Sequence, residues 1–230
     1  MGKLTPSPPL WGGRGTPIPG VSITTRQKKL RVCVEKCRRS VVQLLLQPTE
    51  KSKMTYFDRY LEIAKSATAQ QIELATQWYY EAELVAHDVV RILANRGINA
   101  TLEIGASVVS SFSPRQRWNR NVVQALEFAH TGNANGLKNN LRMAQNSLTL
   151  GFEALKGLKT NAFARAIAGD ENAVTIDVWM CYAGGLDTNA PNKTQYREMA
   201  QAVVDVAKEL HLTPRTTQAL IWIIYRGSHE

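Results

Sequence analysis

Apolar residues recur along this chain at three- and four-residue intervals, in runs broken by glycine, proline and small polar residues. From Thr68 the positions Ile72, Ala75, Tyr79, Ala82, Val85, Val89 and Ile92 keep one face apolar, and Gly97 supplies the stop. This is the longest predicted helix, so it is expected to brace the core. A second helix is predicted over about 102–111. Ser113-Pro114-Arg115-Gln116 reads as a helix start, with Ser as N-cap, Pro at the first helical position and Gln three residues after the cap. The helix it opens is expected to turn Trp118, Val122, Leu126 and Ala129 inward and to end before Thr131-Gly132-Asn133.

Further helices are predicted over about 134–148, from Gly157 to a turn at Gly169-Asp170-Glu171-Asn172, and from Thr175-Ile176-Asp177 to Gly184-Gly185. Turn formers fill 186–194. An amphipathic helix over 196–211 then faces Met199, Val203, Val206 and Leu210 inward. Thr213-Pro214 repeats the N-cap logic and opens the last helix, which buries Leu220, Ile223 and Ile224 and leaves Trp222 at its margin. Val174–Ile176 is the one β-like stretch, so an all-α fold follows. Trp78, Tyr79 and Tyr80 form a run of aromatics whose expected role is one-sided packing.

Composition divides the chain at Met54. The formal charge of +9 is carried wholly by residues 1–53, where 11 Lys/Arg stand against Glu35 and Glu50, and residues 54–230 are neutral. Residues 1–53 are read as a disordered basic extension, in which residues 1–20 crowd Pro, Gly and Ser and Val41–Leu46 is an apolar run with the makings of a short helix before Pro48. Three readings of this basic extension stand side by side: an upstream extension of a protein that starts at Met54, an organelle transit peptide, or a disordered DNA-binding arm. Residues 54–230 are read as one helical domain. No run of 18 apolar residues occurs, so no membrane partner is expected.

Within the neutral part, charge is uneven. Residues 115–165 hold Arg115, Arg117, Arg120, Lys138, Arg142, Lys156, Lys159 and Arg165 against Glu127 and Glu153, while both flanks are acidic. A phosphate-binding face requires such a local basic band rather than a uniformly basic protein; the alternative is an ordinary solvated surface. Cys33, Cys37 and Cys181 make no disulfide framework and no zinc site, which fits a reducing, cytoplasmic compartment. His87, His130, His211 and His229 show no metal spacing, and phosphate-loop, dinucleotide-binding and GxSxG patterns do not occur. No metal and no cofactor is expected.

The stretch Gly157–Gly185 carries the candidate chemistry. Inward folding of Phe163, Ile167, Val174 and Ile176 lets the turn bring Lys159 and Asp177, 18 residues apart, to neighbouring helix N-termini. An ammonium at the positive end of a helix dipole loses pKa when partly desolvated, and a carboxylate there is stabilised as the anion. A neutral amine attacks a carbonyl-like carbon, and a fixed carboxylate stabilises a developing cation or activates water. The bland alternatives are a solvated lysine and an ordinary N-cap.

Gly157-Leu158-Lys159-Thr160, the gap, and Val174-Thr175-Ile176-Asp177 resemble the end of the helix-hairpin-helix motif and the active-site aspartate of endonuclease III-like DNA glycosylases, where the pattern reads roughly GxGxKTA and then a VDTH-type segment. Gly105–Ser113, Gly136–Leu148 and Leu220–Gly227 resemble further helices of that family in the same order, so the likeness spans about 100–227. Leu155 stands where the hairpin's first glycine belongs, Val178-Trp179 replaces Thr-His, and three cysteines cannot hold the four-cysteine iron-sulfur cluster of many relatives.

The resemblance implies a compact glycosylase-like fold and a nucleoid-associated monomer acting on double-stranded DNA. It implies base flipping and cleavage of the N-glycosidic bond. Asp177 and Lys159 would be catalytic, with possible lyase chemistry through Lys159; Arg115, Arg117, Arg120, Gly157, Thr160, Lys138 and Arg165 would hold DNA. Two rivals stand beside it, a non-catalytic DNA-binding or adaptor protein and a nucleotide-modifying enzyme on the same fold.

Overall fold

The computed structural model describes residues 54–188 and 190–227, which are helical with irregular connections and contain no strand. In order they form α1 (Tyr56–Lys65), α2 (Ala69–Asn95), α3 (Leu102–Ser111), α4 (Trp118–Thr131), α5 (Lys138–Leu150), a 3-10 turn (Gly151–Ala154), α6 (Leu158–Ile167), α7 (Val178–Ala183), α8 (Lys193–Leu210) and α9 (Pro214–Arg226). The expectations for residues 1–53, for Val41–Leu46, for Cys33 and Cys37 and for a start at Met54 lie on or against residues outside this description.

The ends of these helices follow local chemistry. Thr55, Thr68 and Asn192 each accept from the backbone N–H three residues on, and Asp58, Gln71 and Gln195 reach back to the cap nitrogen, closing reciprocal capping boxes. Thr213 caps α9 with Pro214 at the first helical position, as the sequence predicts. Ser113-Pro114 behaves differently. Arg115 adopts φ 61°, the chain turns, and α4 begins only at Trp118 with Arg117 as a cap residue that makes no side-chain hydrogen bond. The Asn140 side chain donates to the Pro114 carbonyl at 3.4 Å, tying this turn to the first turn of α5.

α2 is the spine, with α3, α4, α6 and α9 packed along it. Its buried line is Ala75, Tyr79, Ala82, Ala86, Val89, Ile92 and Leu93; of the predicted line, Ile72 is exposed and Val85 only half-buried, with Ala86 one step on in the buried place. In α4 the buried face is Asn121, Gln124, Ala125, Phe128 and Ala129, so Val122 and Leu126 sit at its edge rather than at its centre. α5 starts at Lys138, four residues later than predicted, because the Gln124 amide of α4 holds the Asn135 carbonyl and keeps 134–137 out of the helix. α1, for which the pattern gave no separate helix, packs on α8 and α9.

α3 is enclosed on every side. From Gly105 to Ser111 each residue is buried, which small side chains permit, and α2, α5 and α6 close around it. Gly105 is where α2 comes nearest: a Cβ there would lie 2.5 Å from the Ala86 carbonyl oxygen and 2.8 Å from the Val90 side chain. Overpacking against backbone costs about 1–3 kcal/mol or more. Gly105→Ala is therefore expected to lower stability by about 2–3 kcal/mol in urea unfolding. Gly97→Ala, at φ +76° with nothing within 4 Å, should cost only about 1 kcal/mol. Equal losses would contradict close packing of α3 on α2.

Candidate functional site

Four aromatic side chains from four helices meet on α2. The Trp78 ring lies 5.4 Å from Trp118 of α4, 5.9 Å from Phe163 of α6 and 5.9 Å from Trp222 of α9. Tyr79 stands edge-on to Trp78 at 4.7 Å, and its hydroxyl donates to Gln218 at 2.6 Å. Phe163 and Tyr79 are buried, whereas the three indoles are half-buried and form the outer wall. Tyr80, adjacent in sequence, is 61% exposed and lies outside the cluster, because one helical step turns it away.

Lys159 and Asp177 border this wall. Lys159 is one turn before Phe163 on the same face of α6 and is half-buried. Asp177 is the N-cap of α7: its Oδ1 accepts from the Met180 N–H at 3.0 Å, and its Oδ2 accepts from the Trp222 indole N–H at 2.9 Å. Burial pushes the Lys159 ammonium below its ordinary lysine value, and the charge of Asp177 partly opposes that shift. Lys159 senses the charge of Asp177 without closing to an ion pair of 4.0 Å or less.

The Asp177 charge reaches other groups as well. Burial pushes the Tyr196 hydroxyl up to about 12 and the Cys181 thiol up to about 11, and Asp177 adds to both. Burial likewise raises Tyr60 and Tyr79, again with a contribution from Asp177. These neighbours remain protonated at neutral pH, so the carboxylate stands among neutral groups, with Lys159, Arg215 over Tyr79 and Arg226 over Trp222 as cations around the cluster. Cys181 is fully buried and belongs to the core.

The residues expected to hold DNA divide into groups. Arg115, Arg117 and Arg120 are exposed around the start of α4, and Lys138 is exposed at the start of α5, which the Asn140–Pro114 bond brings to the same turn. Gly157 is the exposed N-cap of α6. The Ser110 hydroxyl, at the end of α3, donates to the Thr160 carbonyl at 2.7 Å and joins that helix start to the segment leading into Arg115. Thr160 itself is buried with its hydroxyl on the Gly157 carbonyl at 3.1 Å, so its side chain faces inward. Arg165 lies in the last turn of α6, bonded to Asn161 at 2.9 Å and stacked over Phe152 at 4.7 Å, apart from the group at the helix start.

Two regularities single out this region. α4, α5 and α6 have no side-chain cap, while α1, α2, α3, α7, α8 and α9 all have one. In addition, every Lys or Arg ion pair among the described residues lies outside 115–165: Lys65–Glu209, Arg91–Asp88, Lys208–Asp205 and Arg215–Glu171. Free backbone N–H groups at helix starts and unpaired cations together make a positive surface. The tryptophan wall is not legible as a unit in the sequence, since Trp78, Trp118 and Trp222 are far apart in the chain; the half-apolar setting of each was the available signal.

Residues 43–229 match the model of a family of unknown function, DUF7178, and the chain belongs to that family. No curated protein and no solved structure matches the chain.

Lys159 yields a pH test. The folded chain releases this proton before the unfolded chain does, so the cost of burying the charge falls as pH rises from the folded toward the unfolded pKa. Lys159→Met should therefore gain most over the wild type near neutrality, with the gap in urea midpoint narrowing toward about pH 10. A gap independent of pH would show an amine that burial does not perturb.

Proposed function

We propose that the chain is a DNA base-excision enzyme of the helix-hairpin-helix kind, in which Asp177 and Lys159 act on a nucleoside drawn out of the duplex. The observation that carries this reading is the pair itself: a fixed carboxylate and an ammonium depressed by burial border one aromatic wall without neutralising each other at contact. Asp177 would stabilise the oxocarbenium-like sugar as the base departs or orient the attacking water; Lys159, as the free amine, would attack C1′ and form a Schiff base. Exposed Arg115, Arg117, Arg120 and Lys138, with the open starts of α4, α5 and α6, suit the phosphates of the strand. Among the described residues no helix is long and apolar enough to cross a membrane.

The second reading is a DNA-binding protein without catalysis. It is favoured by Leu155 at the hairpin's first glycine position. The readings separate in one assay on the full chain, using duplexes that carry a panel of damaged or modified bases.

The enzyme reading expects release of a free base, a borohydride-trapped adduct lost in Lys159→Ala, and a fall of about 100-fold or more in release by Asp177→Asn. Undiminished release by Asp177→Asn contradicts the assignment, and salt-sensitive binding with no release favours the second reading. Both readings expect Arg115→Ala with Lys138→Ala to flatten the dependence of log affinity on log salt by about two, one for each phosphate that is no longer neutralised. A slope unchanged by this double substitution would move the DNA face elsewhere.

A further inference from the structure

We propose that Trp222 aims the Asp177 carboxylate and is a positioning residue for the base-excision chemistry; its catalytic meaning rests on that reading. Asp177 has two holders. The Met180 N–H donates to Oδ1 at 3.0 Å, as in any N-cap arrangement, whereas the indole N–H of Trp222, 45 residues further along the chain, donates to Oδ2 at 2.9 Å. Local helix capping needs only the first bond. The second fixes rotation of the carboxylate plane and leaves further acceptor capacity on each oxygen for a substrate or a water.

The indole has two further neighbours. Trp78 packs against it at 5.9 Å, and the Arg226 guanidinium lies over its ring at 4.7 Å. A cation on the indole face draws electron density from the ring and strengthens its N–H as a donor. The arrangement Arg226, Trp222, Asp177 thus runs from α9 to the start of α7, carrying the placement of the carboxylate away from the short six-residue helix it caps.

Two arms test this on the full chain. In the first, the indole proton of Trp222 is followed by NMR. The wild type should show a downfield, slowly exchanging signal. Asp177→Ser keeps an N-cap but is too short to reach the indole, and should move that signal upfield and speed its exchange; the Trp78 and Trp118 signals report that the fold persists. An unmoved Trp222 signal overturns the proposal.

In the second arm, Trp222→Phe keeps the aromatic packing and removes the donor. Turnover in base release should fall about 10- to 100-fold with KM little changed, and Trp222→His, which restores a ring N–H, should recover part of the loss. Wild-type turnover in Trp222→Phe overturns the positioning role while leaving base excision standing. A wild type that releases no base removes the enzyme reading, and the NMR arm still decides whether Trp222 holds the carboxylate.

Discussion

The packing of Trp78 is the constraint on which the rest of this protein depends. One residue on the spine helix touches α4 through Trp118, α6 through Phe163 and α9 through Trp222, so the positions of three helices are fixed against one indole. Aromatic pairs at these separations add about 0.5–1.5 kcal/mol each beyond area burial. They also favour particular ring orientations, which gives the junction geometry as well as cohesion. Lys159 inherits its place from Phe163 one turn along α6, and Asp177 inherits its place from Trp222.

Enclosure of α3 supplies the second constraint. Its run of glycine, alanine, serine and valine lets α2, α5 and α6 approach closely, and Ser110 and Ser111 bond across to α6 and α5 at its end. The starts of α4, α5 and α6 are thereby tied to one another through Ser110, Pro114 and Asn140. All three lack the side-chain cap that the other described helices carry, and cations without an acidic partner among the described residues surround them. An open helix start forfeits about 1 kcal/mol of capping stabilisation, a cost that a bound anion would offset.

Much of this architecture is legible in the residues. Periodicity locates most helices, and Thr68, Asp177 and Thr213 announce three of the starts. The failures have physical causes. Ser113-Pro114-Arg115-Gln116 satisfies every local rule for a helix start, yet the bond from Asn140 to the Pro114 carbonyl and the left-handed Arg115 favour a turn. Thr160 looks like a DNA-binding residue until its burial under Gly157 is seen. The indole on Asp177 is invisible in sequence, since 45 residues separate the pair and neither residue alone points to the other. Sequence order proposes Lys159 and Asp177 as neighbours; only the fold supplies the aromatic wall beside them.

Everything assigned to this site requires that Lys159 and Asp177 share one partly dehydrated space. Titration of the Lys159 amine by NMR, in the wild type and in Asp177→Asn, tests that sharing directly. The expected midpoint lies below that of an ordinary lysine and falls further once the opposing charge of Asp177 is removed. An ordinary midpoint indifferent to Asp177→Asn would contradict the shared site.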